Sequence, residues 1–372
     1  MPNSDNGLSN YEQKAWAEVQ AHREKQLSAR TRRVVPERVQ RFARDRAAAA
    51  KSKVAANAAG GKVMDGAASA FRGVGAKAQR AVGKSSQATL SDRRVVKAYQ
   101  RRGHAVNDLA SIRDLDLSVL DAVRPRRLDL TYSILAGAEG AVAGAVVSGG
   151  EALAAAGSVA SAGAAAAPSV GVLAGTLAAD SAFTLTATSR AVGHIAMYYG
   201  YDPAALGEGL FAMSVINLGT AGSSSAKYAA YRELSQLAQQ LARRATWKTL
   251  NEHLLTKIAQ RFATDMSVRM TQRKLGQLVP IAGIFIGATF NFATLDQVCE
   301  AANWAYRERF LSDKQGGVPF VLPDPPDLGS DNDTEDQEPE ALIDVLAIIK
   351  EEQAAEGVRE LNDPTKVIDP PS

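Results

Sequence analysis

Cysteine is almost missing from these 372 residues: Cys299 stands alone. A disulfide within the chain is thereby excluded, as is a cysteine-based zinc site. Histidine is nearly as scarce, with His22, His104, His194 and His253 far apart and no His-Glu-x-x-His pair among them. Neither a metal nor a cofactor is therefore expected. Aromatic residues make up only 6% of the chain, and runs of alternating Val, Ile and Thr are rare, which speaks against a sheet protein. Two familiar chemistries are missing as well. The chain has no nucleophile elbow and no dinucleotide fingerprint. The "GKSS" at Gly83–Ser86 imitates a phosphate loop, but the position five residues before Gly83 is Ala78 where that loop needs glycine. The opening "MPNSDNGLSNYEQK" has no apolar core behind a basic start, so cytoplasmic residence is expected.

What is present is alanine, glycine and strongly segregated charge. Alanine supplies much of the 46% hydrophobic share, 30 glycines stand beside it, and helix formers dominate long stretches. Residues 1–128 carry 26 basic and 12 acidic side chains, a net +14. Residues 129–318 sum to +1, and residues 319–372 to −12. A basic head, a neutral centre and an acidic tail differ in the partners they attract.

The head reads as helices, "YEQKAWAEVQAHREKQL" and a second beginning near Pro36, which suits a first helical turn. Over residues 62–84, Val63, Ala67, Phe71, Val74, Ala78 and Val82 recur at helical spacing among Lys62, Arg72, Lys77, Arg80 and Lys84. Such a basic amphipathic stretch suits an anionic lipid surface or an acidic or membrane protein partner. It equally suits a solvated helix. Nucleic acid is the weakest of these readings, because few aromatics are interleaved for base stacking. Short helices separated by Gly103 and Pro125 are expected over 89–127.

The centre opens with "GAEGAVAGAVVSGGE". Every fourth residue from 136, namely Ala136, Gly140, Gly144, Ser148, Ala152, Ala156 and Ala160, is small. On a helix these form a smooth ridge that lets another backbone lie close. Glu139 and Glu151 interrupt any bilayer span of about 20 apolar residues here. In the uncharged run Ala152–Ala179 six strongly apolar residues contribute only about −2 to −4 kcal/mol to insertion. A second uncharged run, Leu275–Leu295, has its own small ridge at Gly283 and Gly287, followed by Asn291. It fits a buried core helix or a bilayer-inserted one.

Between these runs, "YYGYDP" reads as a corner in which Gly200 ends one helix, Asp202 caps the next and Pro203 enters its first turn. Apolar stripes predict helices over about 203–218, over 226–245 with Tyr231, Leu234 and Leu237, and beyond with Leu254, Ile258 and Phe262. The corner also holds the best constellation for chemistry: His194, Asp202 and Glu208, with Tyr198 one turn from His194. The simpler alternative gives all three structural roles. After Phe310 the text "VPFVLPDPPDLGSDNDTEDQEPE" is proline-rich and acidic with nothing to bury, so disorder is expected. Within the tail, Leu342, Val345, Leu346 and Ile349 form a stripe on a short helix over about 340–356, suited to docking on a partner or on its own domain.

Together "YEQKAWAEVQAH", "EGAVAG" at 139–144, "AVGHIAMYYGYDP…GEGLFAMSVINLGTA" at 191–221, Lys227 with Tyr231, and "RKLGQLVPIAGIFIGATFNFATLDQVCEAANWAYRERFL" at 273–311 resemble the bacterial EcsC family. The motif positions are Glu139, Gly140, Tyr199, Gly200, Tyr201, Asp202, Pro203, Lys227, Pro280, Gly283, Gly287 and Asn291. The resemblance implies an all-helical protein accessory to a membrane process, with a link to an ABC transporter system, and offers no settled catalytic residues. The expected architecture is all-α. A basic helical region 1–88 precedes a close-packed helical core 89–315, with 10–88 belonging to the family's extent, and an acidic tail 316–372 follows. The expected role is non-enzymatic, at the inner membrane face or partly inserted in it. A hydrolase using His194 and Asp202, or a nucleic-acid-binding module using the head, is the alternative.

Overall fold

A computed structural model describes residues 7–28, 91–125, 132, 166–242, 252–277, 283–317, 320 and 343–361. Every regular element among them is helical. The α-helices are α1 (Asn10–Ser28), α2 (Asp92–Gln100), α3 (Leu117–Val123), α4 (Ala166–Tyr198), α5 (Leu206–Gly219), α6 (Ser224–Ala242), α7 (Glu252–Gln277), α8 (Gly283–Lys314) and α9 (Val345–Leu361), with a 3₁₀ turn at Ala110–Asp114 before α3. The second head helix, the basic stretch 62–84 and the ridge at Gly140 and Gly144 lie outside the described residues.

Local chemistry sets the helix ends. Ser9 and Glu12 form a reciprocal capping box: the Glu12 amide donates to Ser9 Oγ at 3.2 Å, and the Ser9 amide to Glu12 Oε2 at 3.0 Å. At the close of α4, the Tyr201 amide donates to the Ala196 carbonyl and the Gly200 amide to that of Met197, both at 3.0 Å. This six-to-one, five-to-two pattern is a Schellman motif, with Gly200 at φ 83°. Gly316 (φ 78°) ends α8 in the same way, as the Gly317 amide reaches the Ser312 carbonyl. Asp202 does not cap α5. That helix starts later, at Leu206, and Asp202 closes the turn before it by accepting the Ala204 amide at 2.9 Å. Pro203 belongs to the same turn.

α8 is the hub. It packs against α5, α4, α1 and α7, while α6 lies on α5 and α1, and α3 lies on α1. α1 is therefore built into the helical body. Its Ala15, Val19 and Leu27 join one core with Tyr99, Ile112, Leu120, Ile195, Phe211, Leu234, Ile258 and Phe310. On α5, Leu210, Phe211, Val215, Ile216, Asn217 and Leu218 are all buried, so this helix is covered on nearly every side.

Of the run Leu275–Leu295, the described residues are 275–277 at the end of α7 and 283–295 in α8, while 278–282, with Pro280, lie outside the described residues. The apolar start of α8 then runs into Asp296, Glu300, Arg307, Glu308 and Arg309. Among the described residues, no helix is long and apolar enough to cross a membrane. The proline-rich stretch after α8 is corrected at Phe320, which is buried, stacks on Tyr231 at 6.2 Å and offers its carbonyl to Ser235 at 3.2 Å.

Small residues do bring backbones together, at a place the sequence pattern does not single out. A Cβ on Gly219 would stand 2.6 Å from Val298 Cα, where α5 meets α8. Gly219→Ala is expected to cost about 1–3 kcal/mol, because main chain has to move. Gly207 gives the contrast: its Cβ would meet only side-chain atoms of Leu241, the Cδ2 methyl at 2.5 Å being the nearest. Chemical denaturation of both variants checks this, and an equal loss for the two would refute the close approach.

Candidate functional site

The segment "NWAYRERF" of α8 places Arg307, Glu308 and Arg309 in succession on a helix covered on several sides. Successive side chains leave a helix about 100° apart, so the three point toward three different neighbours. Arg307 Nη1 reaches both carboxylate oxygens of Asp121 on α3 at 2.7 Å, and Asp121 also accepts the Tyr11 hydroxyl at 2.8 Å. Arg309 forms a bidentate pair with Glu208 of α5, both bonds 2.6 Å. Its guanidinium lies over the rings of Tyr201 at 4.3 Å and Phe211 at 4.5 Å. Burial opposes the Arg309 charge, but Glu208 and then Tyr201 outweigh it and hold the group above its usual range.

Glu308, only 3% exposed, accepts Arg23 Nη1 of α1 at 2.6 Å and the Tyr231 hydroxyl of α6 at 2.8 and 2.9 Å. Burial pushes its carboxyl up, against the pull of Arg23 and of the Tyr231 hydroxyl. Burial likewise drives the Tyr231 phenol well above its ordinary value. Beside this triad is a void of about 10 Å³, lined by Val19, His22, Arg23, Tyr231, Trp304 and Glu308 among others. It has room for about one water. His22 stacks on Trp304 with ring centroids 4.0 Å apart, and burial, then Lys25, lower its pKa. Glu12 repeats the theme at the other end of α1, accepting Lys314 Nζ at 2.5 Å and the Leu117 amide at 3.1 Å. It thus ties the starts of α1 and α3 to the end of α8.

The residues proposed from sequence take separate places. His194 Nδ1 lies 3.2 Å from the Tyr132 hydroxyl, and its ring leans on Tyr198. Burial, then Arg190, lower its pKa. Asp202 is exposed in its turn, and Glu208 is committed to Arg309. The structure therefore assigns the three to different partners and not to one relay. The motif tyrosines act as struts. Tyr199 donates to Asn303 Oδ1 and Tyr201 to Asp313 Oδ2, each at 2.8 Å, so the corner is bolted to α8 at two levels. Buried Asn291 accepts the Thr184 hydroxyl at 3.2 Å, joining α8 to α4. Lys227 is half-buried in the first turn of α6. Gly283 opens α8 and Gly287 follows within it, whereas Glu139, Gly140 and Pro280 lie outside the described residues.

A second polar cluster, which the sequence reading did not single out, receives α9. Glu233 Oε1 of α6 accepts the Val345 amide at 2.7 Å, and Asn217 Nδ2 of α5 donates to the Ile343 carbonyl at 2.8 Å. Asn217 Oδ1 in turn accepts Arg269 Nη1 of α7 at 2.9 Å. Burial pushes the Glu233 carboxyl up to about 7, with Asp344 adding to the rise and the Val345 amide opposing it. Burial draws Arg269 down to about 10. Val345 and Ile349 of the expected stripe are buried, together with Ile343 and Ile348. The one signal in the text for either cluster is a charged residue inside an otherwise apolar helical stretch, as at Glu233, Arg269 and 307–309.

Among the described residues, no group of three or more His, Cys, Asp or Glu could hold a metal ion. What this arrangement does is tie helices together through buried ion pairs and hydrogen bonds. No curated protein and no solved structure matches the chain. The model of the EcsC protein family matches residues 10–311, from the first residue of α1 to Leu311, three residues before the end of α8. Because that match covers most of the chain, including the corner and nearly all of α8, the chain belongs to the EcsC family.

Proposed function

We propose that this EcsC-family chain is a non-enzymatic helical protein that works at the cytoplasmic face of a membrane and meets anionic lipid through its basic N-terminal region. The observation that carries the reading is the build of α2. Val95, Val96 and Tyr99 are buried on one side, and Tyr99 donates to the Tyr198 carbonyl at 2.6 Å. On the other side Arg93, Arg94, Lys97 and Arg101 are all exposed, with Arg102 just beyond. This basic face belongs to a segment of net +14 and lies on the body of the protein. The non-enzymatic part of the reading is supported by the core carboxylates. Glu12, Asp121, Glu208 and Glu308 are each held by a cation.

Vesicle flotation tests this. The chain is expected to rise with vesicles rich in anionic lipid at low salt, to stay behind with neutral ones, and to be released by high salt. Each basic residue near such a surface contributes about 1 kcal/mol. Replacing Arg93, Arg94, Lys97 and Arg101 by Gln should therefore weaken partitioning at least ~10-fold. Equal absence from both vesicle types at low salt would overturn the proposal.

A further inference from the structure

We propose that the void between α1, α6 and α8 is a binding site for one ordered water, which joins His22 Nε2 to the Glu308 carboxylate. His22, which the Arg23–Glu308–Tyr231 triad does not use, thereby becomes part of the attachment of α1.

Three observations carry this. The first is chemical need. His22 Nε2 is buried and has no hydrogen-bond partner among the described residues. Folded proteins nearly always supply such an atom with a partner, because leaving it bare forfeits its hydration. The ring itself is held flat on Trp304, with the two planes 11° apart.

The second is space. The void of about 10 Å³ has His22, Arg23, Tyr231 and Glu308 in its wall. That is the size of a single water, and it leaves no room for a larger ligand. A purely apolar void stays dry, whereas a polar wall of this kind holds water.

The third is capacity. A carboxylate has about four acceptor sites, and among the described residues Glu308 receives hydrogens from Arg23 Nη1 and the Tyr231 hydroxyl. It can take one more from a water. The same water accepts from Nε2–H or donates to a bare Nε2, according to the tautomer of the neutral ring. Gln26 also borders the void and offers a further polar group.

The bridge serves a neutral His22. A charged ring would add a cation beside Arg23, which already occupies Glu308, and near Lys25 on the same helix. Tyr231 on α6 and Trp304 on α8 bring no negative charge to meet it. Since burial and Lys25 hold the folded pKa of His22 below its ordinary value, the unfolded chain binds more protons. The stability that His22 contributes is thus present above about pH 6.5 and is lost as pH falls through the folded value.

The test begins with the full unmodified chain. A crystal structure that resolves ordered water should show one within hydrogen-bond distance of both His22 Nε2 and a Glu308 oxygen. An empty void, or Nε2 bonded directly to a protein atom, overturns the proposal. In solution, the chain has only four histidines, so ¹⁵N-histidine labelling resolves their rings. His22 should titrate at lower pH than the ordinary histidine value and show a cross-peak to water at neutral pH. A ring that titrates at the ordinary value without that cross-peak refutes it. His22→Phe keeps a flat ring on Trp304 and removes the nitrogen. Its thermal midpoint should fall less between pH 7 and pH 5 than that of the unmodified chain, and an equal fall would remove His22 from the attachment. Should this variant fail to fold, the crystal and the labelled unmodified chain still decide.

Discussion

Glu308→Ala is expected to destabilise the chain by about 3–5 kcal/mol, lowering the thermal midpoint by on the order of 10 °C. Two effects combine. Arg23, 7% exposed, loses its carboxylate and becomes a buried charge without that counter-ion, and the Tyr231 hydroxyl loses its acceptor. Removing one member of a buried pair is far more damaging than removing both. Glu308→Leu combined with Arg23→Met should accordingly recover most of the loss. Glu351→Ala is the control, since its pair with Arg261 is exposed and such pairs contribute about 0–1 kcal/mol. A midpoint unchanged by Glu308→Ala would mean that the triad is not the buried lock described above.

Gly200→Ala should lower stability by roughly 2–5 kcal/mol, combining a left-handed backbone penalty with overpacking. At φ 83° an L side chain is strained whatever space it finds, and here it finds none. The new Cβ would stand 2.7 Å from the Leu109 carbonyl oxygen and 3.2 Å from the Arg113 amide nitrogen, both main-chain atoms. The neighbouring tyrosines enlarge the effect, since the Schellman motif aims Tyr199 and Tyr201 at α8. Gly103 provides the comparison, with a similar φ of 86° and nothing within 4 Å of a built Cβ. Gly103→Ala should show the backbone penalty alone. Thermal melts of the two variants check the difference, and equal losses would remove steric contact as its cause.

Much of the helical architecture was legible in the text because its causes are local. Alanine-rich stretches and the left-handed Gly200 act within a few residues. So do the stripes that buried Tyr231, Leu234, Leu237, Leu254, Ile258 and Phe262. Asp202 misled because its capping chemistry is real but acts on a turn instead of on α5. The corner constellation dissolved because adjacency in sequence does not set partners. Glu208 lies 101 residues from Arg309, its actual counter-ion.

By itself the sequence determined an all-helical chain, its family kinship, its segregated charge and the hand of its main corner, since helix propensity and backbone sterics reside in single residues and short spacings. Only the tertiary structure decided which charges neutralise one another, that α5 and α8 touch at Gly219 and Val298, and that α9 seats on Glu233. Those outcomes depend on which side chains lose water together. That is settled when distant helices pack, and no local pattern records it.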